Sequence, residues 1–313
     1  MENTVTSFIK QTVWSLTLLA GVIIGSFLLF NVAPGEPARI ILGPNASVEA
    51  VARLSHELGT DRPLWEQWTH HVKRVFTFDL GRSIIDGRSV ANEVLSKFLV
   101  SAKLGVLAAI FAVVLSYLIN FVAFINSRMR RLIDLVSLGV VLPTFFTGVV
   151  AALTLGVWFP IVSLSGYGTS NASWTALLLP AFVAAFYPIA IMTKVLHEKI
   201  VAVSGSDFAR AATALGFSKV HIFHRVLLRS VSVSWLATWV NQLSTIFIAS
   251  FILEVIFTIP GVGSLLVRTV QDKDFPMLQG MLLVNAIFFI TLYWVSDIVL
   301  SRLDPRLRLD GAS

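Results

Sequence analysis

The sequence predicts an all-α integral membrane protein with six transmembrane helices and an outer segment of amphipathic helices after the first of them. Three observations support this fold class. Of the 313 residues, 56% are hydrophobic and only 13% are charged, whereas about 25% of the residues of a soluble domain are charged. The mean hydropathy is +0.80. Uncharged runs of about 20 residues, the length that crosses a bilayer, recur along the chain.

The first predicted helix lies in residues 1–35, and the transmembrane core extends over residues 99–300. Within this core a long uncharged run from Leu135 to Tyr187 holds two spans, because Pro160 and the glycines after it divide the run. Prolines inside spans predict kinks, and they stand at Pro143, Pro180 and Pro188. The second to sixth spans are expected at about residues 104–126, 135–159, 174–192, 231–253 and 277–299.

Three other interpretations of these runs fit less well. Six buried helices of a soluble protein would present more apolar surface than a core of this size can cover. Strands of a membrane barrel alternate in polarity over about ten residues, and these runs are apolar on every side. The first run is longer than the apolar core of a signal peptide, and no A-x-A cleavage site follows it. We therefore expect an uncleaved first helix.

The distribution of Lys and Arg predicts the orientation. If the N-terminus is cytoplasmic, the short inner segments contain 13 of these residues and the short outer loops contain 2, which is the bias that the positive-inside rule requires. Both termini, including the tail at residues 301–313, are therefore expected in the cytoplasm. The net charge of +6 reflects this bias and indicates no nucleic-acid partner, since no basic patch is interleaved with stacking aromatics.

The outer segment, residues 36–98, has helix signals of its own. Ser47 is predicted to cap a helix that ends at Gly59, and Asp61 is predicted to cap a second one. Both patterns are amphipathic and too short to span a bilayer. The segment either packs and anchors at the interface through its tryptophans, Trp65 among them, or offers a docking surface to an external partner.

The cytoplasmic loop, residues 194–229, predicts a short helix followed by a turn. Ser206 is the expected cap of a helix from Asp207 to Leu215, and Gly216 is expected to end it in the left-handed conformation. Ser218 can then cap a helix that continues into the fifth span. The short alanine-rich helix is either a plain connector or a surface on which another protein docks.

Charged residues do not occur in the middle of any span. Those near span ends, where side chains can reach the interface, are Lys103, Asp134, Glu254 and Asp297. The deeper polar residues either bond between helices or line a path, and they are Asn120, Asn241, Gln242 and Asn285. The chain has no phosphate-binding loop, no cysteine and no evident catalytic pair. His221 and His224 could face together, but no carboxylate accompanies them.

The cytoplasmic loop also carries a family resemblance. The stretch from Asp207 to Gly216 resembles the E-A-A-x-x-x-G loop of ABC importer permeases, with Arg210, Ala211 and Ala212 at the E-A-A positions. Leu228 and Arg229 resemble the Leu-Arg pair that follows in the peptide-permease branch. The chain departs from the pattern at Arg210, which replaces an acidic residue, and at Ser234, which replaces a proline.

Further stretches resemble the dipeptide, oligopeptide and nickel permease family, and specifically the first, B-type, of its two paired permeases. They occur in order between residues 58 and 306 and cover most of the chain. They read L-G-T-D-R-P-L from Leu58, Q-W at Gln67, D-L-G-R-S from Asp79, E-V-I-F from Glu254, I-P-G-V-G from Ile259, D-F-P from Asp274 and L-D-P-R from Leu303.

The resemblance implies a type I ABC importer permease fold in a bacterial inner, or cytoplasmic, membrane. Two different permeases would form the pore for short peptides, two ATP-binding subunits would dock inside, and an extracytoplasmic solute-binding protein would deliver the substrate. The chain itself would be no enzyme and hold no cofactor or metal, since ATP and Mg²⁺ would bind the partner subunits. The residues implied in coupling are Asp207, Ala209, Arg210, Ala211, Ala212, Leu215 and Gly216. A gate would include Pro260, Gly261 and Gly263, beside the four deeper polar residues.

Three alternatives remain open at this point. The same architecture could import nickel or a metal chelate. A self-sufficient secondary transporter would need ionisable groups inside the membrane. A membrane scaffold or an embedded enzyme would move no solute, and the enzyme would need a catalytic pair.

Overall fold

The computed structural model describes residues 2–32, 37–43, 45–159 and 174–303, and in these ranges the chain is helical with no β-sheet. A single antiparallel bridge pairs Arg82 with Ser89. The predicted polar boundary around Pro160 and the tail beyond Leu303 lie outside the described residues. The all-α fold class is confirmed.

Thirteen α-helices are present in the described part of the chain, and 3₁₀ or π turns extend several of them. They are α1 (Glu2–Val32), α2 (Pro37–Leu42), α3 (Val48–Leu58), α4 (Leu64–Phe76), α5 (Val90–Ile125), α6 (Arg131–Ser137), α7 (Thr144–Ala151), α8 (Thr175–Ser204), α9 (Asp207–Ala214), α10 (Lys219–His221), α11 (Arg229–Ile256), α12 (Val262–Gln271) and α13 (Phe275–Leu303).

Four helical stretches in the described residues are long and apolar enough to cross a membrane. A fifth candidate is a bent pair, Ser127–Val140 with Thr144–Trp158, and α1 contains a shorter apolar stretch, Thr12–Leu28. The count of six spans therefore stays a prediction. The four long stretches are Val90–Ile125, Thr175–Ser204, Lys219–Ile256 and Phe275–Leu300.

The third expected span is not one straight helix. Its two halves meet at 110°, and Pro143 stands at the break as the N-cap of α7 with an extended ψ of 138°. Proline has no N–H to donate and clashes with the preceding turn, so the helix ends before it. By contrast, α8 continues through Pro180 and Pro188.

The chain divides into two compact units. One comprises Val100–Gly263 with Val295–Ser313, and its core joins α5, α8 and α11. Small residues of α5 and α8 meet there, among them Ala108, Ala181 and Ala185, which are fully buried. Small side chains let membrane helices approach closely, which is how such helices gain packing energy.

The other unit comprises Met1–Leu99 with Ser264–Trp294 and contains the helices α2–α4 of the predicted outer segment. Ser47 caps α3 by accepting a bond from the Ala50 N–H, and Gly59 ends the helix with a φ of 71°, so both predictions are confirmed. The prediction for Asp61 is wrong, because α4 begins after Pro63. Asp61 instead accepts a 2.8 Å bond from His56 Nδ1, and this partner lowers its pKa.

Two of the family-like motifs meet within this unit. The Ser83 hydroxyl donates to Asp274 Oδ2 at 2.5 Å, and the Met277 N–H donates to Asp274 Oδ1 at 3.3 Å. Both Ser83 and Asp274 are buried. Asp274 therefore caps α13 and at the same time fastens the turn that precedes α5. Nearby, Gly280 leaves room for Val90, which a Cβ at Gly280 would overlap.

Candidate functional site

The loop at residues 194–229 forms the predicted short helix, α9, between α8 and the α10–α11 stretch. Ser206 has the extended backbone of an N-cap, with ψ 156°, but its side chain makes no capping bond. Its hydroxyl donates back to the Val203 carbonyl at 2.6 Å instead. Gly216 has a φ of 79°, which favours glycine because a Cβ is strained in the left-handed region. The glycine-ended turn is confirmed.

One face of α9 packs inward. Ala209 is 4% exposed and Ala212 is 8% exposed, and both belong to the core that contains Ile222 and Phe223. These two alanines therefore position the helix rather than face a partner. Their small side chains let α9 lie close to the π-helical segment Ile222–Leu228, which leads directly into α11.

The opposite face of α9 is exposed and partly apolar. Phe208 is 52% exposed and Leu215 is 76% exposed, with Ala211 between them. The spacing 208, 211, 215 places these side chains on one helical face. Phe217, in the turn, is 48% exposed. Sequence reasoning missed both phenylalanines, although the i, i+3, i+7 spacing was a signal that could have found Phe208.

Polar groups of α9 stiffen the loop around it. Arg210, at the position where the family pattern has an acid, donates to the Gly205 carbonyl at 2.7 Å. It also lies 3.9 Å from Asp207, and both side chains are largely exposed, so this ion pair contributes little. Arg210, Asp207 and Gly216 are all on the accessible surface.

The stretch after the turn is tied to α5. Ser218 caps it, as predicted, by accepting from the His221 N–H. His224 Nδ1 donates to the Val220 carbonyl at 2.9 Å, so its Nε2 accepts from the Tyr117 hydroxyl at 2.5 Å. These histidines make structural contacts, and the described residues contain no group of three or more potential metal ligands.

The loop before α12 is built around a buried carboxylate. Glu254 is 0% exposed, and its Oε2 accepts a 2.6 Å bond from the Gly263 N–H. The neighbouring Val262 N–H donates to Ser101 Oγ at 2.9 Å. Glu254 lies near the end of its span, as predicted, but its side chain is buried and does not reach an interface. Its carboxyl oxygen faces the N–H groups that begin α12, where an acidic group is favoured.

Each of the two glycines in this loop leaves space for a different neighbouring group. A Cβ at Gly261 would overlap the Glu254 carboxyl group, and a Cβ at Gly263 would overlap the backbone of Phe251. Pro260 precedes them in a non-helical stretch. The motif E-V-I-F…I-P-G-V-G is thus one packed unit, in which the acid and the glycines depend on each other.

The deeper polar residues do not form a cluster. Asn120 is buried and donates to the Ser116 and Thr193 carbonyls at 2.9 and 3.1 Å, so it bonds between α5 and α8. Asn285 donates to Met281 of its own helix at 2.9 Å. Asn241 is exposed and Gln242 is half-buried. Among the described residues, no hydrogen bond links any two of these four.

Apolar spans that carry a short, exposed, glycine-ended helix fit the resemblance to the permease subunits of ABC importers, and the comparison with known families gives the same class of protein. The chain belongs to the family of binding-protein-dependent transport system inner membrane components, which matches residues 104–309. Residues 5–98 match the N-terminal region of such membrane components.

Relatives in this family resemble the chain over nearly its whole length. A protein of Brucella abortus (strain 2308), named as a peptide transport system permease, is 29% identical, and the alignment covers 96% of this chain and 98% of the relative. The glutathione transport system permease protein GsiC of Escherichia coli (strain K12) is 27% identical, with 90% of this chain and 92% of the relative covered.

Proposed function

We propose that the chain forms one half of the translocation pore of an importer for short peptides, beside a second, different permease subunit. The names of the peptide and glutathione permeases that resemble it support this substrate class. A solute-binding protein delivers the peptide from outside. The chain lies in a bacterial cytoplasmic membrane with both termini in the cytoplasm, as its Lys and Arg distribution favours.

The observation that carries this proposal is the exposed face of α9. Two ATP-binding subunits supply ATP hydrolysis with Mg²⁺, and one of them docks on the surface formed by Phe208, Ala211 and Leu215. Large exposed apolar side chains at helical spacing suit insertion into a groove of a partner. The five outward residues of the predicted coupling set, Asp207, Arg210, Ala211, Leu215 and Gly216, belong to this surface.

Coupling then follows from how α9 is attached. Its inner alanines pack on the segment Ile222–Leu228, which continues into α11. When ATP closes the ATP-binding subunits, the displacement of α9 passes to α11 as movement of one packed body, because packed cores switch between discrete arrangements. The spans then alternate between inward-open and outward-open packings.

The loop Pro260–Gly263 is proposed as a gate element at the outer end of α11. Its backbone is held by Glu254 and Ser101, so it moves with α5 and α11. The polar residues Asn120, Asn241, Gln242 and Asn285 are proposed to line the path to different degrees. Asn241 is the candidate of choice because it is exposed.

The docking proposal is tested by charge substitution on the exposed face of α9. We expect Leu215→Glu to lower the amount of ATP-binding subunit that co-purifies from native membranes, because one of the two docks on this chain, while the amount of permease in the membrane stays unchanged. Val48→Glu, at a 73% exposed apolar residue of the outer segment, is the matched control and should retain them. An unchanged ratio of ATP-binding subunit to permease in Leu215→Glu would refute docking at α9.

The substrate class is tested separately in proteoliposomes that contain the complete transporter and its solute-binding protein. Short peptides should stimulate ATP hydrolysis, and Ni²⁺ without peptide should not. Stimulation by Ni²⁺ or a nickel chelate alone would favour the metal importer with the same architecture.

A further inference from the structure

A basic cavity lies in the unit that contains the outer helices. Its volume is about 340 Å³, at the small end of the range of ligand pockets in proteins, about 300–1,000 Å³. Charged side chains in its lining are Arg62, Arg74, Arg82 and Glu66. The three guanidinium groups exceed the one carboxylate by two charges, so the cavity favours an anion.

The arginines of this cavity form no salt bridge in the described part of the protein, although the charge of Arg62 also acts on the neighbouring Asp61 carboxylate. Arg74 Nε donates to the Asp79 carbonyl at 3.1 Å, and an Arg82 nitrogen donates to the Gly87 carbonyl at 3.1 Å. These backbone bonds fix the side chains without cancelling their charge. No ion pair to Arg62, Arg74 or Arg82 occurs among the described residues. Guanidinium groups with free N–H donors suit the oxygens of a phosphate.

The cavity is located where apolar helices end. Phe27, in its lining, stands at the end of the apolar stretch Thr12–Leu28 of α1, and Pro276 and Gln279 line it from the first turns of α13. Gln279 donates to the Ser26 carbonyl at 3.0 Å, which joins the two helices beside the cavity. An opening at the ends of two membrane helices lies at the depth of lipid headgroups.

The helix that forms one wall of the cavity is built for an interface. None of the residues of α4 is buried. Three of its large apolar side chains are mostly exposed: Leu64 at 63%, Trp65 at 66% and Phe76 at 78%. Trp68 packs edge-on against Phe27 at a centroid distance of 5.2 Å. Exposed tryptophan, leucine and phenylalanine on an amphipathic helix with Lys and Arg on its other side are typical of helices that lie in the headgroup region.

We propose that this cavity binds the phosphate headgroup of an anionic phospholipid, such as phosphatidylglycerol, while the exposed apolar residues on the opposite face of α4 contact the acyl region of the bilayer. The assignment of this lipid to the outer leaflet rests on the orientation given in the proposed function, whereas the site itself does not. The bound lipid fastens the outer segment to α1 and α13. Glu66 provides an acceptor for the hydroxyl groups of a glycerol headgroup.

The test is lipid retention by the full-length chain, purified with its accompanying subunits and placed in nanodiscs that contain equal amounts of phosphatidylglycerol and phosphatidylcholine. Native mass spectrometry counts the lipid that stays bound. We expect preferential retention of phosphatidylglycerol. Arg62→Gln should reduce it about fivefold, which is the effect of about one interfacial cation. Arg53→Gln, an exposed arginine of α3 outside the lining, is the matched control and should change nothing.

Additional measurements keep the test decisive. Arg62 is the main variant because no described residue bonds its side chain, so its loss leaves the fold intact. Glycerol phosphate, inorganic phosphate and trialanine are added as soluble competitors. Weak competition by all three supports the lipid. Displacement by phosphate or by the peptide at low concentration, equal retention of both lipids, or no effect of Arg62→Gln would overturn the proposal. The readout needs neither transport nor ATP hydrolysis, so it can fail independently of the proposed function.

Discussion

Two glycines in the loop before α12 are needed for different reasons, and mutagenesis can distinguish these reasons. Gly261 faces the side chain of Glu254, whereas Gly263 faces the backbone of Phe251. An added methyl at Gly261 therefore meets a group that a second substitution can remove. An added methyl at Gly263 meets a group that no substitution can remove.

The magnitudes follow from the contacts. Glu254→Ala removes the acceptor of the bond from the Gly263 N–H, and a buried donor left without its partner costs about 1–3 kcal/mol. Gly261→Ala overpacks a full site, at a cost of about 1–3 kcal/mol. The double variant Gly261→Ala with Glu254→Ala should be less destabilised than the sum by about 1–2 kcal/mol, because the overlap is gone. Gly263→Ala with Glu254→Ala should show less relief, because the overlap with the Phe251 backbone remains.

The assay is denaturation of the purified protein in detergent, followed by tryptophan fluorescence, with the two double-mutant cycles run side by side. Equal coupling energies in both cycles, or strict additivity for Gly261, would refute the reasoning. If every variant that lacks Glu254 fails to fold, the two single glycine variants are compared instead. Gly263→Ala should then be more destabilising than Gly261→Ala, because the backbone of Phe251 cannot move aside as a side chain can.

Three further predictions concern other parts of the molecule. Gly216→Ala should destabilise the α9 turn by about 1–2 kcal/mol through its left-handed φ, whereas Gly205→Ala, at a φ of −79°, should not; limited proteolysis of the loop distinguishes the two, and equal cleavage would contradict the argument. Asp274→Asn and Ser83→Ala should each lower stability by about 1–3 kcal/mol and combine less than additively in thermal unfolding, since they share one bond; full additivity would count against that. Burial lowers the pKa of His71 below 6.5. The contribution of neutral His71 to stability is therefore complete above pH 6.5 and is lost as the pH falls through the folded-state pKa. His71→Asn should make the melting temperature depend less on pH between pH 8 and pH 5, and an unchanged pH dependence would contradict this.

Local features of the chain were predictable because they depend on neighbours in sequence. Ser47 and Gly59 bound α3 as expected, and Gly216 ends α9 as expected, since capping and left-handed turns are set within a few residues. The prediction for Asp61 is wrong for a local reason as well. Pro63, two positions later, is the N-cap of α4, and Asp61 pairs with His56 instead.

Sequence alone determined the all-α membrane class, the glycine-ended helix α9 and the family, because composition, residue spacing and the order of motifs can be read without knowledge of packing. Only the tertiary structure decided which alanines of α9 face inward and that Phe208 faces out. Only it showed that Glu254 is buried against α12 instead of reaching an interface, and that Ser83 holds Asp274 across 191 positions of sequence. Such pairings follow from which helix faces meet, and helices that are apolar on every side carry no periodic signal of the face that will be buried.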